Sequence, residues 1–168
     1  MPKTPELIYI PHLTRWLKTK FQLRKLQKTW DPEFSEGVFI YGTTKAVCRI
    51  TEIIHQNKPG ELEGLLTTSA KIKLTDDMTN KLTKTQKKII KIKPEDIKIL
   101  VPTTVHLTTD GDKKNCRVGM RILALKWIQQ SNGALRLVLI YYTDGQQSDW
   151  TISAFDVLEC AILTQAPH

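Results

Sequence analysis

Val118-Gly119-Met120-Arg121-Ile122-Leu123-Ala124-Leu125-Lys126-Trp127, followed by Ser131-Asn132-Gly133, the run Leu135 to Gly145 and Asp149-Trp150-Thr151-Ile152, is the most clearly patterned stretch of the chain. Asn132-Gly133 and Asp144-Gly145 tolerate the positive φ of a tight hairpin, and each sits between β-branched or aromatic runs. The stretch reads as consecutive short strands of one small, strongly bent β-barrel. Trp127, Trp150 and the Tyr141-Tyr142 pair are delivered near its turns. Neighbouring tyrosines on a strand point to opposite faces, so only one of the two can be core on a given face.

Upstream, Gly37 to Tyr41 and Ala46 to Ile54 are rich in β-branched residues around Gly42-Thr43-Thr44, which predicts two antiparallel strands. Leu62 to Leu66 reads as a third, shorter one. Residues 67–93 break the rhythm with threonines and with Lys84, Lys87, Lys88 and Lys91, the pattern of a long basic loop holding a marginal helix capped by Thr75 or Asp76. Lys91 to Pro102 reads as a strand, a turn and a strand, and Asp110 to Asn115 as a linker. At the start of the chain, Leu13, Trp16, Leu17, Leu23, Leu26 and Trp30 fall near helical spacing among Arg15, Lys18, Lys20, Arg24, Lys25 and Lys28. This predicts a basic amphipathic helix or arm ended by Asp31-Pro32.

Charge is distributed unevenly. The net charge is +8. Residues 1–30 hold seven Lys/Arg against one acid and residues 71–100 nine against four, whereas 31–70 are net acidic and 101–168 balance. Two basic blocks suit a polyanion, and nucleic acid is the commonest for a chain of this kind. The alternative is a solvated, solubilising surface.

Other classes find little support. No apolar run approaches the ~18 to 20 residues of a membrane span, and the first residues lack the pattern of a secretory signal. Three cysteines without a CxxC pair and four scattered histidines point to neither a disulfide framework nor a metal site. Without a phosphate-binding Gly-rich loop, a nucleophile elbow or an HExxH, the expectation is a non-enzyme without cofactor.

The two halves share an order. Gly37 precedes a run ending in Tyr41, Gly119 one ending in Trp127, and each half closes with an acidic residue before a β-branched one and a leucine. With Glu36 to Tyr41, Ala46 to Thr51, Val118 to Trp127 and Tyr142 to Gly145, the arrangement resembles the tandem Tudor region of the DNA-damage checkpoint mediator family over residues 35–165. The resemblance implies a mostly β fold with two tandem SH3-like (Tudor-like) barrels. It places a basic arm or helix at 1–34, a first barrel at 35–103 with a Lys-rich insertion at 67–93, and a second barrel at 114–165. It implies a nuclear, non-catalytic chromatin-binding module that recruits a checkpoint adaptor through DNA and a methylated histone lysine.

In that family an aromatic cage with a nearby Asp holds the methylated lysine. Tyr41 matches its first aromatic, while Ala46, Val47, Leu65 and Leu66 stand where further aromatics would. Trp127, Tyr142, Asp144 and Trp150 offer a second set, with Trp127 and Tyr142 as inward core residues being the competing reading. For largely sequence-independent DNA binding the candidates are Arg15, Lys18, Lys20, Arg24, Lys25, Lys84, Lys87 and Lys88. The alternatives are an OB-fold barrel that binds single strands and a protein-interaction scaffold.

Overall fold

A computed structural model describes residues 4, 6, 8–143 and 162–163. The basic N-terminal stretch is helical: α1 spans Leu13–Lys25 and runs on through a wider turn at Leu26–Trp30. Arg24 and Lys25 lie in its last turn, where cations favour the negative end of the helix dipole. Its inward side holds Thr19, Leu23 and Leu26.

The long helix α2 (Glu36–Gln56) corrects the largest sequence expectation, the two strands between Gly37 and Ile54. Val47, Ile50, Thr51 and Ile54 stand at i, i+3, i+4 and i+7, and all four are buried with Ile53. β-Branching costs a helix only tenths of a kcal/mol per residue, roughly 0.5 at most, which burial of a continuous apolar face outweighs. The ends are marked as helix ends. Ser35 Oγ accepts from the Val38 amide at 3.4 Å, and Asn57 closes the helix in the left-handed region at φ 55°. Gly42, read as a turn, lies within the helix with open space where a Cβ would stand. Gly42→Ala should therefore raise the unfolding free energy by about 0.5 to 1 kcal/mol in denaturant titrations. A strand-turn-strand arrangement would give a loss instead.

Residues 67–93 are likewise ordered rather than a loop. α3 (Thr68–Asn80) starts at Thr67, whose hydroxyl accepts from the Ala70 amide at 3.4 Å. α4 (Lys84–Ile89) starts at Thr83, where Thr83 and Gln86 satisfy each other's amides at 3.2 and 2.9 Å. Leu62 is fully buried in the short turn Pro59–Leu62 and is not part of a strand. Lys91 to Lys93 is not a strand either, yet Ile90 and Ile92 are buried there, and the Ile92 amide donates to Thr51 Oγ1 at 3.1 Å.

β1 (Ile97–Asp110), β2 (Lys113–Gln129), β3 (Leu135–Thr143) and the short β4 (Ile162–Leu163) form one antiparallel sheet in that order. The expected linker is a hairpin turn: Asp110 pairs with Lys113, and Gly111 takes φ 58°. Asn132 and Gly133 lie in the β2–β3 turn, where Gly133 takes φ 81°. Asp144-Gly145 and Asp149 to Ile152 lie outside the described residues.

Helices cover one face of this sheet, so neither the tandem SH3-like barrels nor the OB-fold-like barrel is present among the described residues. Ile122 and Ala124 of β2 share a core with Val47, Ile50, Ile54, Leu74 and Met78. A second cluster joins Leu23 and Leu26 of α1 to Val105 and Cys116 of the β1–β2 hairpin. The first cluster thus unites segments that a two-barrel chain would keep apart. Irregularities at Ile97/Ile99 and Pro102/Thr104 bend β1, which lies at an edge of the described sheet.

Candidate nucleic-acid interface

α1 lies along edge strand β1. Thr19 Oγ1 donates to the Thr103 carbonyl at 3.0 Å, which fixes the distance between helix and strand. Beside this bond runs a groove of about 360 Å³. Arg15, Lys18 and Gln22 reach it from one wall, Thr104 and His106 from the other, and His12 closes its end. None of its lining residues is a carboxylate. Cations gathered at a concave surface focus potential and raise the local concentration of anions.

A second groove of about 280 Å³ lies on the other side of Arg15 and shares His12, Arg15, Thr19 and Thr103 with the first. Its character is different. Tyr9, Trp16, Ile40 and Pro102 give it an aromatic and apolar lining. Arg121 steadies Tyr9 by donating to its hydroxyl at 3.4 Å, with the guanidinium 5.7 Å from the ring centre. Lys20 also lines this groove, but its ammonium is held by both oxygens of Glu36 at 2.7 and 2.9 Å.

The remaining basic candidates divide by position. Arg24 and Lys25 are exposed at the far end of α1. Lys84, Lys87 and Lys88 lie on α4, which packs against α2, and do not line either groove. Lys87 donates to Asn57 Oδ1 at 2.7 Å, while Lys84 and Lys88 are exposed.

Comparison with protein-family models, curated proteins and solved structures finds no match.

Of the residues expected to form a methyl-lysine cage, Tyr41, Trp127 and Tyr142 lie among the described residues. Tyr41 is exposed on α2 with Lys45 over its ring at 4.6 Å, a cation the chain itself supplies. On the sheet, Trp127 pairs with Leu137 and Tyr142 with Ile122. The two rows are five residues apart along β2, about 16 Å. Asp144 and Trp150 lie outside the described residues.

Burial also shifts two thiols and one ammonium. Burial pushes the Cys48 thiol up, aided by Asp96 and Glu95, and burial does the same to Cys116, which disfavours thiolate nucleophiles. Burial lowers the Lys126 ammonium despite opposition from Asp96, yet its proton is donated to the Lys91 carbonyl, a structural tie between sheet and core. Among the described residues no cluster of His, Cys, Asp and Glu could hold a metal ion, and no helix is long and apolar enough to cross a membrane.

Sequence reasoning missed Gln22, Thr104 and His106. Gln22 shares the α1 face of Arg15 and Lys18 but carries no charge, and Thr104 and His106 join them only because α1 packs on a strand some 90 residues later. Local charge patterning carries no trace of that contact.

Proposed function

We propose that the chain is a non-catalytic module that binds the backbone of nucleic acid in the α1–β1 groove. One observation carries this reading: every charged side chain in the groove is cationic, and its remaining polar lining residues are histidines, threonines and a glutamine. Phosphodiesters need that chemistry, with cations to displace counterions and neutral donors to fix register. The histone-tail half of the resemblance rested on a Tudor-like barrel, which is not present among the described residues, and is not part of the proposal. Base-specific readout is not part of the proposal, because no helix-turn-helix or zinc-finger signature accompanies the basic residues in the sequence.

Fluorescence anisotropy with labelled oligonucleotides of unrelated sequences is the test. Affinity should be similar across sequences and fall steeply as salt rises. Undetectable binding at low salt would remove the proposal.

A second reading has one observation in its favour. Leu13, Leu17 and Phe21 form an i, i+4, i+8 stripe along α1 and are 65%, 53% and 68% exposed, with Arg24, Lys25 and Lys28 in the following turns. Such a helix suits an anionic lipid surface. Sedimentation with anionic vesicles that Leu17→Asp abolishes, together with no oligonucleotide binding, would put this reading in place of the first.

A further inference from the structure

We infer that the ligand of this site is single-stranded nucleic acid, with a phosphate in the cationic groove and a neighbouring base laid on Trp16 in the aromatic one. The inference rests on the phosphate-binding reading above and adds the state of the strand.

Two adjacent grooves of unlike chemistry motivate it. Arg15 and His12 form the ridge between them, so one wall serves both. A nucleotide has the same division, a charged phosphate joined through a sugar to a flat apolar base. Trp16 is 43% exposed although it sits on a helix whose core contacts are made by Leu23 and Leu26. An indole half in water beside Arg15 is a stacking platform, and bases of any sequence present a π face to it. Across the groove Pro102 stands at the irregularity of the edge strand and Tyr9 is held by Arg121, which gives the cleft apolar walls on more than one side.

A duplex cannot use this second groove. Its bases are stacked on each other and present only edges, so a ring in a cleft of about 280 Å³ gains nothing unless a base is first unstacked. The backbone contacts are common to both forms, and Trp16 discriminates between them. The Lys20–Glu36 pair at the same groove adds a fixed donor and acceptor beside the base without adding net charge.

The experiment compares one labelled sequence as single strand and as duplex, at low salt, against the unaltered chain, Trp16→Leu and Trp16→Phe. Leucine keeps apolar bulk and removes the ring, whereas phenylalanine keeps a ring. The single strand should bind about tenfold or more tightly than the duplex. Trp16→Leu should weaken single-strand binding by about tenfold and leave duplex binding within about twofold, and Trp16→Phe should retain most of the affinity. Equal or tighter binding of duplex to the unaltered chain would overturn the inference without recourse to any variant. So would a Trp16→Leu chain with native circular dichroism and undiminished single-strand affinity. In both cases salt-dependent binding would leave the backbone reading standing. Failure of both nucleic-acid forms to bind at low salt would instead remove that reading and this inference together.

Discussion

Ile50→Ala should lower the unfolding free energy by about 2 to 5 kcal/mol. Ile50 is fully buried on the inward face of α2, between Val47 and Ile54, in the core that also takes in Leu74, Met78 and Ile122. Truncation removes three carbons at the meeting of two helices and the sheet, and a close-packed interior relaxes only partly around the void. The comparison variant is Leu17→Ala, exposed on α1, for which less than about 0.5 kcal/mol is expected. Denaturant titration of both chains gives the difference in midpoint at constant slope. A loss below about 0.5 kcal/mol for Ile50→Ala would mean that the face built by residues 47, 50, 51 and 54 is not the core.

The largest functional effect should come from Arg15→Gln combined with Lys18→Gln. Both residues line the α1–β1 groove and are exposed, so the pair can be neutralised with little cost to folding. Single-strand affinity at low salt should fall by about tenfold or more, equally for different sequences. The plot of log affinity against log salt should lose about 1.4 of its slope, from about 0.7 per phosphate contact removed. Lys84→Gln combined with Lys88→Gln removes as much charge from α4, outside the groove, and should change affinity much less. Equal losses from the two pairs would mean that net charge alone attracts the ligand.

The second half of the chain was the more legible, for a physical reason. The Asn132-Gly133 turn and the runs on either side are local features, and a hairpin needs little more than a residue free to adopt positive φ between strands of matching pattern. α2 was misread because β-branched content was weighed above period. Val38, Ile40, Val47, Ile50, Ile53 and Ile54 suggest a strand by composition, but the spacing of 47, 50, 51 and 54, with Ser35 before and Asn57 after, is that of a capped helix. The same preference for composition hid α3 and α4, whose threonine caps at Thr67 and Thr83 were visible. Asp110-Gly111-Asp112 looked like a linker because its polar residues serve a hairpin equally well, and only the pairing of β1 with β2 decides.

The site was legible in part. Arg15 and Lys18 stood out by charge, whereas Lys20, equally basic in sequence, is occupied by Glu36. His106 and Thr104 carried no signal, since their role arises when a strand late in the chain is laid against the first helix. Trp16 stood out in the sequence only as one of the apolar positions at helical spacing. Its place in the lining of the second groove, 43% exposed, shows what periodicity cannot, namely how much of the ring stays open.

Backbone amide NMR shifts, followed as a short single-stranded oligonucleotide is added at low salt, test the central claim most directly. The perturbed amides should cluster at residues 12–22 and 103–106, the two walls of the groove, with the Trp16 indole N–H among the largest movers. Shifts centred instead on residues 84–88, or none at saturating oligonucleotide, would contradict it.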